Sequence, residues 1–138
     1  MSTGYSKTSW PRIERDYDDV ITEIRNSPNS EPGLVEKTII FDDFNRLKCR
    51  ERISDGVIEF FQYDFYDSSG NVIIKYHSEP HSDPAYQTET EPFHMHIKKD
   101  KDDLAASVRI PLPVPLRTVD GILEHIIHSR YIKYVHIE

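Results

Sequence analysis

Residues 46–77 read RLKCRERISDGVIEFFQYDFYDSSGNVIIKYH, and this stretch decides the fold. It holds three strand-like runs separated by two turn signals. In Arg46–Ile53 the side chains alternate. Leu47, Cys49 and Ile53 point one way, and Arg46, Lys48, Arg50 and Arg52 the other, the period of two that a strand imposes. Ser54-Asp55-Gly56 supplies a tight turn, because glycine and aspartate tolerate backbone angles closed to most residues. VIEFFQYDFY, residues 57–66, is the longest run and is rich in aromatic and β-branched residues. Asp67-Ser68-Ser69-Gly70 is the second turn, and residues 71–77, NVIIKYH, return as a third strand. Three strands joined by two short turns form an antiparallel meander.

Working outward, TIIF within Leu34–Phe41 predicts another strand. Phe93–Ile97 alternates again, with Phe93, Met95 and Ile97 on one face and His94 and His96 on the other. KKDKDD is a charged turn. Val108–Leu116 carries prolines at 111, 113 and 115, which confines it to an edge strand or a polyproline-like segment, since proline cannot donate to a ladder. Residues 78–92 contain three prolines and read as a loop. Trp10–Asn26 predicts a helix: Ile13, Tyr17, Val20, Ile21 and Ile24 recur at helical spacing, Pro11 suits the first turn and Ser9 the cap. Thr118–Ile132 predicts a closing helix, with Val119, Ile122, Leu123, Ile126 and Ile127 inward, Thr118 as cap and Gly121 as a weak point. The expected fold is α+β, an antiparallel meander of four to six strands covered on one face by an N-terminal and a C-terminal helix. The chain is expected to be one domain, residues 1–138, with 1–9 a flexible tail.

Composition excludes several classes. The 138 residues carry a net charge of −7 with neutral histidines, so a uniformly basic nucleic-acid binder is excluded, though a local basic patch is not. No apolar run approaches membrane-spanning length, and no membrane is expected as a partner. The N-terminus lacks the basic-then-apolar pattern of a signal peptide, and the single cysteine, Cys49, allows no internal disulfide. A cytoplasmic protein is expected. Cys49 itself reads as a small buried apolar residue.

The turns set an expected register. A three-residue turn at 54–56 places Ile53 opposite Val57, Arg50 opposite Phe60 and Arg46 opposite Asp64. A four-residue turn at 67–70 places Tyr66 opposite Asn71, Gln62 opposite Lys75 and Phe60 opposite His77. One face then carries Leu47, Cys49, Ile53, Val57, Phe61, Tyr63, Phe65, Val72, Ile74 and Tyr76 as the core. The other carries Arg46, Lys48, Arg50, Arg52, Phe60, Tyr66, Lys75 and His77. Cations interleaved with rings on one face suit a nucleic-acid backbone and its bases.

Four of the seven histidines, His77, His81, His94 and His96, lie within residues 77–96. Histidine is the side chain whose ordinary pKa lies nearest neutrality. Two histidines with a Lys or Arg can supply the base, the acid and the cation that metal-independent RNA cleavage needs. His77, His81, His94 and His96 are therefore the candidates for proton transfer, and Lys48, Arg50, Arg52 and Lys75 those for phosphate. No cofactor is required by this chemistry. A divalent metal is the alternative, held by His94 and His96 with His77, His81 or Asp83 completing the set. A third reading is a non-enzymatic protein- or nucleic-acid-binding module. His125, His128 and His136 read as surface or capping residues of the closing helix.

Three blocks, RLKCRERISDGVIEF, YDFYDSSGNVIIKYHSEPH and PFHMH, resemble the TumE-like toxins of prokaryotic toxin–antitoxin modules. The resemblance covers about residues 46–97 and, more loosely, the helix at 118–132. Arg50, Arg52, Asp55, Gly56 and Glu59 match the first block of that pattern, Asp67, Gly70, Tyr76, Pro80 and His81 the second, and Pro92, His94 and His96 the third. The chain departs from the pattern at His77-Ser78, where the family has Asp-Asn, and at Ser82, Phe93 and Met95. The resemblance implies a cytoplasmic toxin neutralised by an antitoxin that is often a helix-turn-helix protein. RNA as substrate and a homodimer are both compatible with it.

Overall fold

The computed structural model describes residues 2–27, 31–78, 90–100 and 103–137, with residues 98–100, 103–108 and 131–137 described by backbone alone. A short helix, α1 (Trp10–Asp16), precedes seven strands: β1 (Ile21–Asn26), β2 (Leu34–Phe41), β3 (Arg46–Ser54), β4 (Val57–Tyr66), β5 (Val72–His77), β6 (His94–Asp100) and β7 (Asp103–Pro111). A 3-10 turn at Val114–Leu116 leads into the closing helix α2 (Val119–Ile137). All seven strands form one antiparallel sheet in chain order, so every connection is to a neighbour. The expected α+β meander is present, with more strands than the four to six expected. Among the described residues no helix is long and apolar enough to cross a membrane.

The extra strands come from the two ends. The predicted helix Trp10–Asn26 stops at Asp16, and Ile21–Asn26 pairs with β2 instead. Ile21, Thr22 and Ile24 are β-branched and lose rotamer freedom in a helix, whereas pairing with β2 uses that shape. Ser9 stands at the N-cap position, but its side chain makes no capping bond. At the other end the segment holding the prolines is an edge strand only as far as Pro111, and Pro113 starts the 3-10 turn. Residues 3–7, expected as a flexible tail, are instead tied to the start of β4. Thr3 N–H donates to Ile58 O at 3.0 Å, Ile58 N–H to Tyr5 O at 2.8 Å, and Lys7 N–H to Gly56 O at 2.9 Å.

Both expected hairpin registers move by two positions. The β3–β4 turn has two residues, Asp55 and Gly56, with φ of 52° and 76°, and Ser54 pairs with Val57. Both turn residues at positive φ are what a tight hairpin of matching twist requires. A two-residue turn alone would swap the faces of β4 relative to β3. Glu59 has no partner opposite, and this bulge restores the parity, so that Arg52 faces Phe60, Arg50 faces Gln62 and Lys48 faces Asp64. A second irregularity near Tyr66 sets Gln62 against His77 and Asp64 against Lys75 in place of the expected Phe60–His77 and Gln62–Lys75 pairs. Beyond the bulges each shift is even, so most residues keep their assigned face. On the turn side the shift is one: Ile58, not the expected Val57, is buried in the core, and Val72 pairs with the outward Tyr66.

The inner face buries Leu47, Cys49, Phe61, Tyr63 and Tyr76 against Ile13 of α1 and Val119, Ile122 and Leu123 of α2. Arg12 holds the two helices together through a bidentate pair with Asp120, at 2.9 and 2.7 Å. Thr118 caps α2 as expected, its hydroxyl accepting from Gly121 N–H at 3.1 Å. Cys49 is buried and free, and burial followed by the nearby Glu51 charge raises its thiol pKa, which leaves it an unreactive packing residue.

Glu51 is a polar residue in this core, with 1% of its surface exposed. Its Oε2 accepts from the hydroxyls of Thr8 and Tyr63. Burial raises its pKa despite these bonds. A carboxyl whose folded pKa is raised favours folding most below its unfolded value, and that contribution is lost as pH rises through the folded value. Glu51→Gln cannot ionise. Its stability relative to wild type is therefore expected to improve from pH 4 to pH 7, measured by urea denaturation at both. A pH-independent difference would show that folding leaves the Glu51 pKa unchanged.

Candidate functional site

The outer face carries the candidate site. Strand pairing aligns Lys48, Asp64, Lys75, His96 and Arg109 in one row across β3 to β7. The adjacent row runs Glu36, Arg50, Gln62, His77, His94 and Pro111. His77 stands directly opposite His94, and His96 lies two residues along β6 on the same face. The three imidazoles meet: ring centroids are 5.4 Å apart for His77–His94, 5.2 Å for His77–His96 and 5.1 Å for His94–His96.

Each ring has a defined neighbour. His77 Nε2 lies 3.1 Å from Asp64 Oδ1, and Gln62 Nε2 donates to Asp64 Oδ2 at 3.1 Å. A carboxylate only accepts, so His77 carries a proton on Nε2, and in the neutral ring Nδ1 holds the lone pair. Arg109 Nη2 donates to His94 Nδ1 at 2.9 Å and also approaches Glu91 Oε1 at 3.5 Å. His94 is buried, with 2% of its surface exposed. Burial first, and then the Arg109 charge, lower its pKa to about 4. His96 is lowered to about 4 as well, by burial and then by His77. Both rings are neutral at physiological pH and so are acceptors or ligands, since a general acid must hold its proton there.

The basic stripe leads into this cluster. A groove of about 230 Å³ lies between β2 and β4, lined by Glu36, Thr38, Lys48, Arg50, Gln62 and Asp64 among others. Gln62 and Asp64 therefore border both the groove and the histidines. Among the described residues no ion pair engages Lys48, Arg50 or Lys75. Arg52 is different, because it pairs with Glu31 and lies over the Phe60 ring at 5.5 Å. Lys48 lies over the Tyr66 ring at 4.8 Å, so the two outer aromatic rings are covered by cations and are not free platforms for bases.

The structure brings together His77, His94 and His96 with Lys75, and places Lys48 and Arg50 beside them along the groove. Arg52 sits at the far end, near the β3–β4 turn. His81 and Asp83 lie outside the described residues. His125 and His128 are exposed on α2, away from the sheet's outer face, as expected. Asp64, Gln62 and Arg109 escaped the sequence reading as site residues. Asp64 and Gln62 were assigned other partners by the unshifted register. Arg109 sits on the strand joined to β6 through the KKDKDD turn, where no hairpin signal fixes pairing.

Searches of curated proteins and of solved structures return no match. The family model described as Toxin TumE matches residues 12–130, which include all seven strands and parts of both helices. The match extends the sequence resemblance in both directions from the meander, and the chain belongs to the TumE family of toxins, a membership that implies a cognate antitoxin.

Proposed function

We propose that this toxin acts on RNA as a ribonuclease, with the reaction at the His77–His94–His96 cleft and the RNA backbone along Lys48, Arg50 and Lys75. The observation that supports this most is the continuity of the groove with the histidines through Asp64 and Gln62. Cations with no ion pair among the described residues, on an otherwise acidic chain, favour phosphates at this face. His77, oriented by Asp64, accepts the proton of a ribose 2′-hydroxyl at Nδ1 as the 2′-oxygen bonds phosphorus. The bond from phosphorus to the 5′-oxygen breaks, the departing oxygen takes its proton from water, and Asp64 faces the positive charge formed on the ring. The lysines and Arg50 balance charge on the phosphorus centre. The toxin acts in the cytoplasm, where RNA and an antitoxin of the helix-turn-helix class would meet it.

Induced expression in a bacterial host tests the reading. Wild type is expected to arrest growth with loss of total RNA, and Lys48→Ala/Arg50→Ala to relieve both. Binding of the double variant to single-stranded RNA is expected to lose salt dependence, its log–log slope falling by about 0.7 for each cation removed. Growth arrest with intact RNA would overturn the ribonuclease and favour a protein target.

A further inference from the structure

We propose that His77, His94 and His96 form a binding site for one divalent transition-metal ion of the Zn²⁺, Co²⁺ or Ni²⁺ class. One ligand atom from each ring lies within 4.8 Å of the others. The rings come from two adjacent strands, His77 opposite His94 and His96 on the same face, so the sheet ladder itself fixes their spacing. Three imidazoles without thiolate suit these metals and leave a fourth position for water or a substrate oxygen.

The surroundings match what metal-bound histidines need. Such a ring usually donates its remote N–H to a carboxylate or a backbone carbonyl, which fixes the tautomer. Asp64 does this for His77 at 3.1 Å, leaving Nδ1 as the donor atom. For His94 the Pro92 carbonyl lies 3.2 Å from Nδ1. Nδ1 now accepts from Arg109, so binding moves the ring proton to Nδ1, where Pro92 O accepts it and Nε2 is freed. Arg109 keeps Glu91 as its neighbour. Tetrahedral coordination requires nitrogens about 3.3 Å apart. The ligand atoms, at most 4.8 Å apart, must therefore close, which asks for side-chain rotation within an ordered ladder.

This inference does not depend on RNA being the substrate, and its test needs no RNA. Co²⁺ is titrated into chelator-treated full-length protein, and visible d–d absorption is read. The expected result is one Co²⁺ per chain with four-coordinate bands, displaced by Zn²⁺. His77→Gln and His96→Gln should lose the bands, and Asp64→Asn should weaken binding by about 10–100-fold. His128→Gln, on exposed α2, should bind as wild type does. Circular dichroism establishes that each variant is folded. A folded wild type without bands would overturn the site, as would undiminished affinity in the folded His77 and His96 variants.

Discussion

Replacing His77 with alanine is expected to lower RNA cleavage by about 10²–10⁴-fold, the usual worth of a positioned proton-transfer group. His77 is the histidine of the cluster whose far nitrogen is fixed by a carboxylate, and the hydrogen bond at 3.1 Å leaves Nδ1 to accept. The alanine variant also removes one partner from Asp64, which is 8% exposed, while Gln62 remains. Losing a partner of a buried carboxylate costs about 1–3 kcal/mol, so some stability is lost without unfolding the sheet. Asp64→Asn separates the two effects. It keeps the volume of Asp64 but lets the wrong His77 tautomer compete, and should slow cleavage while the fold survives. Initial rates on a single-stranded RNA oligomer, corrected for folded fraction, provide the measurement. Excess chelator is present because a metal on His77 would occupy the lone pair that proton transfer uses. Wild-type rates from a folded His77→Ala protein would remove His77 from the reaction.

Gly121→Ala is expected to destabilise the fold, against the ordinary preference of helices for alanine. In an exposed helix interior the change would gain about 1 kcal/mol. Here a Cβ on Gly121 would stand 1.6 Å from the carbonyl oxygen of Pro115, far inside contact distance. The neighbour is backbone in the 3-10 turn, not a flexible side-chain end, so either the turn or α2 must move. Overpacking of this kind costs about 1–3 kcal/mol, occasionally more, and outweighs the propensity gain. The melting temperature should fall by roughly 5–10 °C. Ser129→Ala, at an exposed site on the same helix, should stay within about 0.5 kcal/mol of wild type. A Gly121→Ala protein as stable as wild type would show that the turn gives way at little cost. Gly121 reads in the sequence only as a weak helix former, whereas the structure shows the glycine letting α2 approach the turn.

The central meander was legible because strand alternation is local. Each residue of β3 except the buried Glu51 declares its face by its own polarity, and turn chemistry marks where β3, β4 and β5 end. Two readings failed for physical reasons. The spacing of Ile13, Tyr17, Val20, Ile21 and Ile24 fits one helical face. Pairing with β2 nevertheless claims Ile21–Asn26, and that partner lies outside the segment whose spacing suggests a helix. The hairpin registers failed because a bulge adds one unpaired residue, and nothing in the composition of Glu59 announces it. Face assignment survived beyond the bulges, where the net shift was even, and failed beside the turns, where Ile58 took the core place expected for Val57.

The sequence by itself determined the α+β class, the inner and outer faces of β3 to β6 away from the turns, the stripe Lys48–Arg50–Arg52, and the histidines His77, His94 and His96 as the chemically distinctive group. These follow from side-chain periodicity and residue type. Only the tertiary structure decided that His77 lies against Asp64, that Arg109 of β7 reaches His94, and that burial holds His94 and His96 neutral. It also separated Lys48, Arg50 and Lys75 from Arg52, which Glu31 neutralises. Those outcomes depend on which strand lies beside which and in what register. Long-range pairing across seven strands sets that register, and no local pattern in the chain encodes it.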